Sequence, residues 1–224
     1  MRTTEILRDG LAYPFRENGR MILIWGAILG VASDLASILP VIGLIAWLVL
    51  AGFFCSTFFE IMVSSASGSD DCPGFPNLSD LLEDLILPFI KVVAVALFSF
   101  APALIFAFTA DGGAATYVLL MALVGVGIVY FPMAILGVGI LGTFRALSPL
   151  IVVPSIFKAG GLYWVIVGIL FAVYVLQSFL LALVGEIFIV GALVAAFVSM
   201  LALMINGRLL GLLYRNKEDE LEWI

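Results

Sequence analysis

Long apolar runs follow one another along this chain, continuous rather than alternating, with almost no charge inside them. That pattern leaves few folds open. Residues 21–65 form a first block interrupted only by Asp34, Pro40 and Glu60, and the later runs at 89–109, 115–143, 162–184 and 187–210 carry only Lys91 and Arg208 as charges. A bilayer core about 30 Å thick is crossed by roughly 20 helical residues at 1.5 Å each. Lipid offers no partner to a free backbone N–H or C=O, so a spanning segment must satisfy its own, and the absence of period-two alternation disfavours a β-barrel. With 64% hydrophobic and 12% charged residues and a mean hydropathy of +1.25, the chain has too little polar surface to cover itself in water. The expected fold is all-α, a polytopic transmembrane helical bundle.

The first block is about twice the length of one span. It is expected to turn between Asp34 and Pro40, because Asp is disfavoured at the bilayer centre and Pro breaks a helix. This gives spans at about 21–38 and 41–63, followed by a polar loop at 64–77 rich in Ser, Gly, Pro and Asp. Leu78, Leu81, Leu82 and Leu85 recur at helical spacing opposite Asp80, Glu83 and Asp84, which predicts a short amphipathic helix in the interface, with Asn77 as its cap. Pro88 is expected to separate it from a third span at 89–109, after which Asp111-Gly112-Gly113 turns the chain. The fourth span covers 115–143, and Ser148-Pro149 caps a second interfacial segment that ends at Gly160-Gly161. Spans five and six cover 162–184 and 187–210 around a tight turn at Gly185-Glu186. The whole of 1–224 reads as one integral membrane domain. Within it, 1–20 is an interfacial N-terminal segment, 21–210 holds six transmembrane helices and 211–224 is a charged, solvated cytoplasmic tail.

Six crossings place all ten Lys and Arg residues on one side: Arg2, Arg8, Arg16 and Arg20 before the first span, Lys91, Arg145 and Lys158 in the middle, and Arg208, Arg215 and Lys217 at the end. The positive-inside rule then makes both termini cytoplasmic, with every guanidinium and ammonium group in the cytosol. Only three of the 16 acids, Asp34, Asp111 and Glu186, fall on the far side. Four arginines precede the first apolar run and no small-residue cleavage pattern follows it, so the N-terminus is expected to be retained. A proline and an interfacial stretch precede each pair of spans, at Tyr13-Pro14-Phe15, Leu87-Pro88-Phe89 and Val153-Pro154. Either a unit used three times or the ordinary frequency of prolines at membrane boundaries accounts for this.

Candidate chemistry is sparse. There is no His to act as a base or to bind haem or zinc, and two cysteines cannot form a four-thiolate cluster. No catalytic, cofactor-binding or metal-ligating residue is therefore assigned, and no cofactor is expected. Cys55 in an apolar run and Cys72 in a polar loop differ too much in depth for a disulfide to be expected. The net charge of −6 argues against nucleic acid. Asp34, Glu60 and Glu186 lie near predicted span ends, where a carboxylate reaches the headgroups, and Glu60 has a candidate partner across the bundle in Arg208. Gln177, Ser178 and Asn206 are the deepest polar residues of the later spans and read as hydrogen-bonding glue, since they do not converge in sequence. Gly26 and Gly30, Gly207 and Gly211, and the stripe of Gly137, Gly139 and Gly142 let helices approach closely, either within the chain or at an oligomer interface. Trp25, Trp47, Trp164 and Trp223 read as interfacial anchors. Asp70-Asp71, the Asp80/Glu83/Asp84 face and Glu218-Asp219-Glu220 with Glu222 either solubilise the cytoplasmic face or offer a docking surface to a basic partner.

Three stretches carry a family resemblance: LAYPFRENGRMILIWGAIL, FPNLSDLLEDLILPFIKVVAVALFSFAPAL and YFPMAILGVGILGTFRALSPLIVVPSIFKAGGLYWVIVGIL, with NGRLLGLLYRN near the end. They resemble the bacterial and archaeal polytopic membrane proteins catalogued as domain of unknown function 4013, over roughly residues 7–215. The resemblance implies a multi-helix protein of the plasma membrane and brings no reaction and no site residues. The expected function is non-catalytic. The chain reads as a structural or accessory subunit packing against lipids and partner membrane proteins, or against copies of itself. The alternative is a small carrier or channel for a lipid or weakly polar solute, using kinks at Pro102 and Pro132.

Overall fold

The computed structural model describes residues 2–36, 38–74, 80–110, 112–184 and 188–223, without the side chains at 17, 34, 40, 184 and 188–190. The described residues are mostly helical, with no strand among them: α1 (Thr3–Ala12), α2 (Glu17–Ala36), α3 (Pro40–Ala66), α4 (Leu87–Thr109), α5 (Ala114–Leu141), α6 (Pro149–Val184) and α7 (Phe188–Leu221). Five of these regions are long and apolar enough to cross a membrane: Val41–Ala66, Leu82–Thr109, Ala114–Leu141, Pro149–Leu183 and Gly191–Leu221. In α2 the apolar stretch is shorter, Asn18–Ser33. Large apolar side chains such as Ile105, Phe108, Met121 and Phe179 point outward, as a bundle solvated by lipid requires. Asn77, Leu78, Asp111, Gly185 and Glu186, to which the sequence assigns a cap and turns, lie outside the described residues, as does the Asp34 side chain.

Helix α7 is the hub, packed against α2, α3 and α6, while α4 and α5 pair with each other. Glycines set these seams. A Cβ on Gly26 would lie 2.9 Å from the Met200 side chain and one on Gly30 would overlap Ala196, so α2 and α7 run antiparallel at close approach. Gly207 meets Phe58 and Ile61, and Gly211 meets Met62 and Ser65, so α3 and α7 run parallel. Both GxxxG pairs are thus consumed inside the chain. In the stripe on α5, Gly139 packs on Phe59 and Met62, and Gly137 packs on Ala146. Gly142 departs from that expectation. It ends α5 as a left-handed cap (φ 67°) with open space around it, a conformation that disfavours any side chain.

Local signals hold at several joints. Pro149 opens α6 and Ser148 Oγ accepts from the Leu150 N–H at 3.3 Å. Gly160 (φ 62°, ψ −146°) breaks that helix without a loop, dividing a short segment from the span that follows. Pro88 behaves otherwise than expected. It does not separate an interfacial helix from the third span, because Leu82–Ile86 forms a π turn that runs directly into α4. The turn closes with the Leu87 N–H donating to the Leu82 carbonyl, and Pro88, which has no N–H to donate, follows in the first turn of α4. The cap of this segment is Asp80, whose Oδ1 accepts from Leu82 N at 3.0 Å while Asp84 Oδ2 accepts from Asp80 N at 3.0 Å. The two like charges are thereby held by backbone donors. The three prolines of the suggested repeat sit in a 3-10 turn, a π/α junction and a helix interior, three different settings.

The C-terminal tail is the largest departure. Instead of ending near 210, α7 continues to Leu221, and Leu209 to Tyr214 together with Leu221 are buried. Trp223 is not an anchor facing lipid. Its Nε1 donates to Ser155 Oγ at 3.0 Å and its ring lies 5.7 Å from that of Tyr214. Lys158 pairs with Glu222 at 2.7 Å, so residues 211–223 are stitched to the start of α6.

Candidate functional site

Among the described residues, two polar assemblies stand out against the apolar interior. The first is built around Arg208, which is fully buried on α7. Its Nε donates to Asp9 Oδ2 (2.8 Å), Nη1 to Ser65 Oγ (3.1 Å) and to the Ser69 carbonyl (2.7 Å), and Nη2 to Asp70 Oδ1 (2.8 Å). The guanidinium lies 4.8 Å from the centre of the Tyr13 ring, a cation–π contact. Arg16 extends the node by pairing with Asp9 and donating to the Asp70 carbonyl at 2.5 Å, and Arg215 reaches Asp70 at 3.3 Å. Tyr13 donates to the Asp71 carbonyl at 3.4 Å, and Asn18 donates to the Cys72 carbonyl at 3.3 Å.

The node replaces two expectations. Arg208 is not in solvent, and its partner is not Glu60. None of its bonds goes to Glu60, which lies half-buried on another face of α3 within the field of Asp84. The physical reason is that Glu60 and Ser65 occupy different faces of α3, and α7 meets the Ser65 face through Gly211. Desolvating a guanidinium costs several kcal/mol, which the paired acids and the neutral acceptors offset. The hydrogen bond from Arg208 holds the Asp70 carboxyl below its ordinary 3.8, whereas burial raises the Tyr13 hydroxyl and the Cys72 thiol above their usual ranges. Asp70 is thus spent internally. Lys217 and Lys158 likewise engage Glu220 and Glu222, leaving a smaller acidic face than the sequence suggests.

The second assembly is a recess of about 250 Å³ bordered by α3, α4, α5, α6 and α7 and open on one side. Phe54, Phe58 and Phe131 supply an apolar wall, while Gln177, Ser199 and Asn206 supply the polar groups. Gln177 Nε2 donates to Ser199 Oγ at 3.0 Å, and Asn206 Oδ1 has no partner. Gln177 and Asn206 therefore converge, contrary to the sequence reading, because α6 and α7 pack side by side; Ser178, one residue on, is exposed. Ser199 is missed by the sequence reading and is recoverable only from its place beside Gln177. Cys55 also borders this recess, Cys72 lies in the arginine node, and both thiols are free.

Further recesses among the described residues, of about 450, 420 and 390 Å³, have almost wholly apolar walls and are lined by residues such as Trp164, Trp25 and Phe89. Among the described residues no cluster of three or more acids or cysteines is placed to hold a metal ion. No family model, curated protein or solved structure matches the chain.

Proposed function

We propose that this chain is a six-span protein of a bacterial or archaeal plasma membrane, with both termini cytoplasmic, that performs no covalent chemistry and serves as a structural or accessory subunit among lipids and partner membrane proteins. Helix α2, at 20 residues, supplies the sixth crossing and enters it beside Arg16 and Arg20. The kinship with the uncharacterised polytopic family belongs to the same proposal and adds no activity. The observation that carries the reading is the use made of Arg208. The one cation that is wholly buried among the described residues is spent on ties within the chain, so it faces no solute path. Meanwhile the outer faces of α4, α5 and α6 are apolar and free to meet lipid or another helix.

The test has two parts. Asp111→Cys and Glu186→Cys, in a background with Cys55 and Cys72 replaced by serine, should react with impermeant maleimide only from outside the cell. Purification in gentle detergent should then yield a second chain at fixed stoichiometry. Cytosolic labelling sinks the topology, and a monodisperse chain alone at native expression sinks the subunit role. The carrier reading is favoured by one observation, the recess holding Gln177, Ser199 and Asn206.

A further inference from the structure

Charge is unevenly divided along this chain. Residues 114–184, which make α5, the 3-10 turn Phe144–Leu147 and α6, contain Arg145 and Lys158 and no acid, while the other eight cations share the rest of the chain with all 16 acids. Lys158 is taken by Glu222. Arg145 is exposed and, among the described residues, pairs with no acid. A cation so placed at a membrane surface attracts an anionic headgroup, and no carboxylate of its own stretch offsets that attraction.

The same stretch encloses the apolar groove of about 450 Å³, with Ala122, Gly125 and Tyr130 of α5 on one wall and Val153, Phe157 and Trp164 of α6 on the other. Tyr130 donates its hydroxyl to the carbonyl of Leu147, two residues after Arg145, so the guanidinium is carried by a turn fastened to the groove's rim. Tyr163 donates to the Val129 carbonyl and holds the second wall. Before the break at Gly160, Leu150, Val153 and Phe157 fall on one helical face, with Leu150 86% and Phe157 74% exposed, a face that lipid solvates and water does not. From Ala122 to Tyr130 the groove follows eight residues of α5, roughly 12 Å, close to the roughly 15 Å of hydrocarbon in one leaflet. Its volume over that length leaves a width of roughly 6 Å, too narrow for a partner helix about 10 Å across. Gly125 leaves the floor bare, since a Cβ there would meet nothing within 4 Å.

We infer that the groove between α5 and α6 holds one acyl chain of an anionic phospholipid, whose phosphate is drawn to Arg145. The apolar walls select a chain of either kind of lipid, and the unpaired guanidinium selects the anionic one. The inference goes beyond the subunit reading and uses it only for the choice of the cytoplasmic leaflet.

Full-length protein is placed in nanodiscs of equal phosphatidylglycerol and phosphatidylcholine with identical chains, released into gentle detergent, and the lipids it retains are counted by native mass spectrometry. The unaltered chain should retain phosphatidylglycerol about fivefold over phosphatidylcholine. Arg145→Gln should bring that ratio to about one, whereas Lys158→Gln should change it less than about twofold, since Glu222 already holds that ammonium. Gly125→Leu, which fills the groove, should lower the retained phosphatidylglycerol about threefold. Phosphatidylglycerol bearing a diazirine midway along one chain should leave its adducts on residues 122–130 and 153–164. Equal retention of the two lipids by the unaltered chain, a ratio untouched by Arg145→Gln, or adducts spread over α2, α3 and α4 overturns the site. The retention ratio and the adduct map use the unaltered chain, so they decide the matter even if a variant fails to fold. Both leaflets of the nanodisc carry the same lipids, so the outcome stands apart from the topology and from the subunit role.

Discussion

Helices α6 and α7 are both long and apolar, yet 11% of the first and 44% of the second is buried within its spanning window. The less apolar helix occupies the centre. In water the order would be reversed, because burial there is driven by removing apolar surface from solvent. In lipid an apolar side chain gains nothing by moving inward, and the interior goes to small residues that let backbones close up and to polar groups that need each other. Helix α7 brings Gly207 and Gly211 to α3, Arg208 to Asp9 and Asp70, and Ser199 to Gln177. Helix α6 beyond Gly160 instead exposes Trp164, Phe171, Tyr174, Leu176 and Phe179.

The contrast breaks most sharply at Arg208. Arg208→Leu should destabilise the detergent-solubilised protein by about 3 kcal/mol, the low end for breaking a buried pair, because the acids it strands keep some contact with solvent. Chemical unfolding monitored by circular dichroism measures it. In a double-mutant cycle, Asp9→Ala and Asp70→Ala should be strongly non-additive, since either acid alone still partners the guanidinium.

A smaller effect separates the glycines of the two helices. Gly211→Val has to displace the Met62 carbonyl and Ser65, and should cost roughly 1–3 kcal/mol by overpacking. Gly168→Ala on α6 meets nothing within 4 Å and should be neutral or stabilising by up to about 1 kcal/mol. Equal thermal shifts for the two substitutions would remove α7 from its place as hub. Next comes the C-terminal stitch, where Trp223→Phe keeps the ring stacked on Tyr214 but loses the bond to Ser155. The expected loss is about 1 kcal/mol in the same unfolding assay.

The smallest effect is a pH dependence. Because the folded carboxyl of Asp70 titrates below its ordinary 3.8, its contribution is complete above that value and is lost as pH falls through it and lower. Asp70 is largely exposed, so the contribution is below about 1 kcal/mol. The gap in melting temperature between the native chain and Asp70→Asn should close on acidification from pH 6 towards pH 3, and a constant gap would remove Asp70 from the node.

Much of the layout is legible in the residues. The helical joints at Pro40, Pro149 and Gly160 follow from local chemistry, since proline and glycine act on the backbone that carries them. The use of both GxxxG pairs follows from their spacing, although which helix each one meets does not. Pro88 misled because the π turn at Leu82–Ile86 runs straight into α4, with Leu85 packed against Gly52. The solvated tail also misled. Its charges face out, while Leu212, Leu213 and Leu221 face in, and a charged run conceals an amphipathic turn of helix when composition alone is weighed.

By itself the sequence determined the class of this protein: an all-helical chain with long apolar helices, punctuated where proline and glycine stand. These properties reside in single residues and short windows, and hydropathy is additive over such windows. Only the tertiary structure decided which helix sits at the centre, that Arg208 is buried, and that Gln177, Ser199 and Asn206 share one recess. Arg208 meets Asp9 across 199 residues and Asp70 across 138, and pairings of that reach are set by the packing of rods whose surfaces are nearly uniform in hydropathy. What distinguishes one face from another there is the absence of a side chain at glycine and the need of a buried charge for a partner, and both act only once two helices touch.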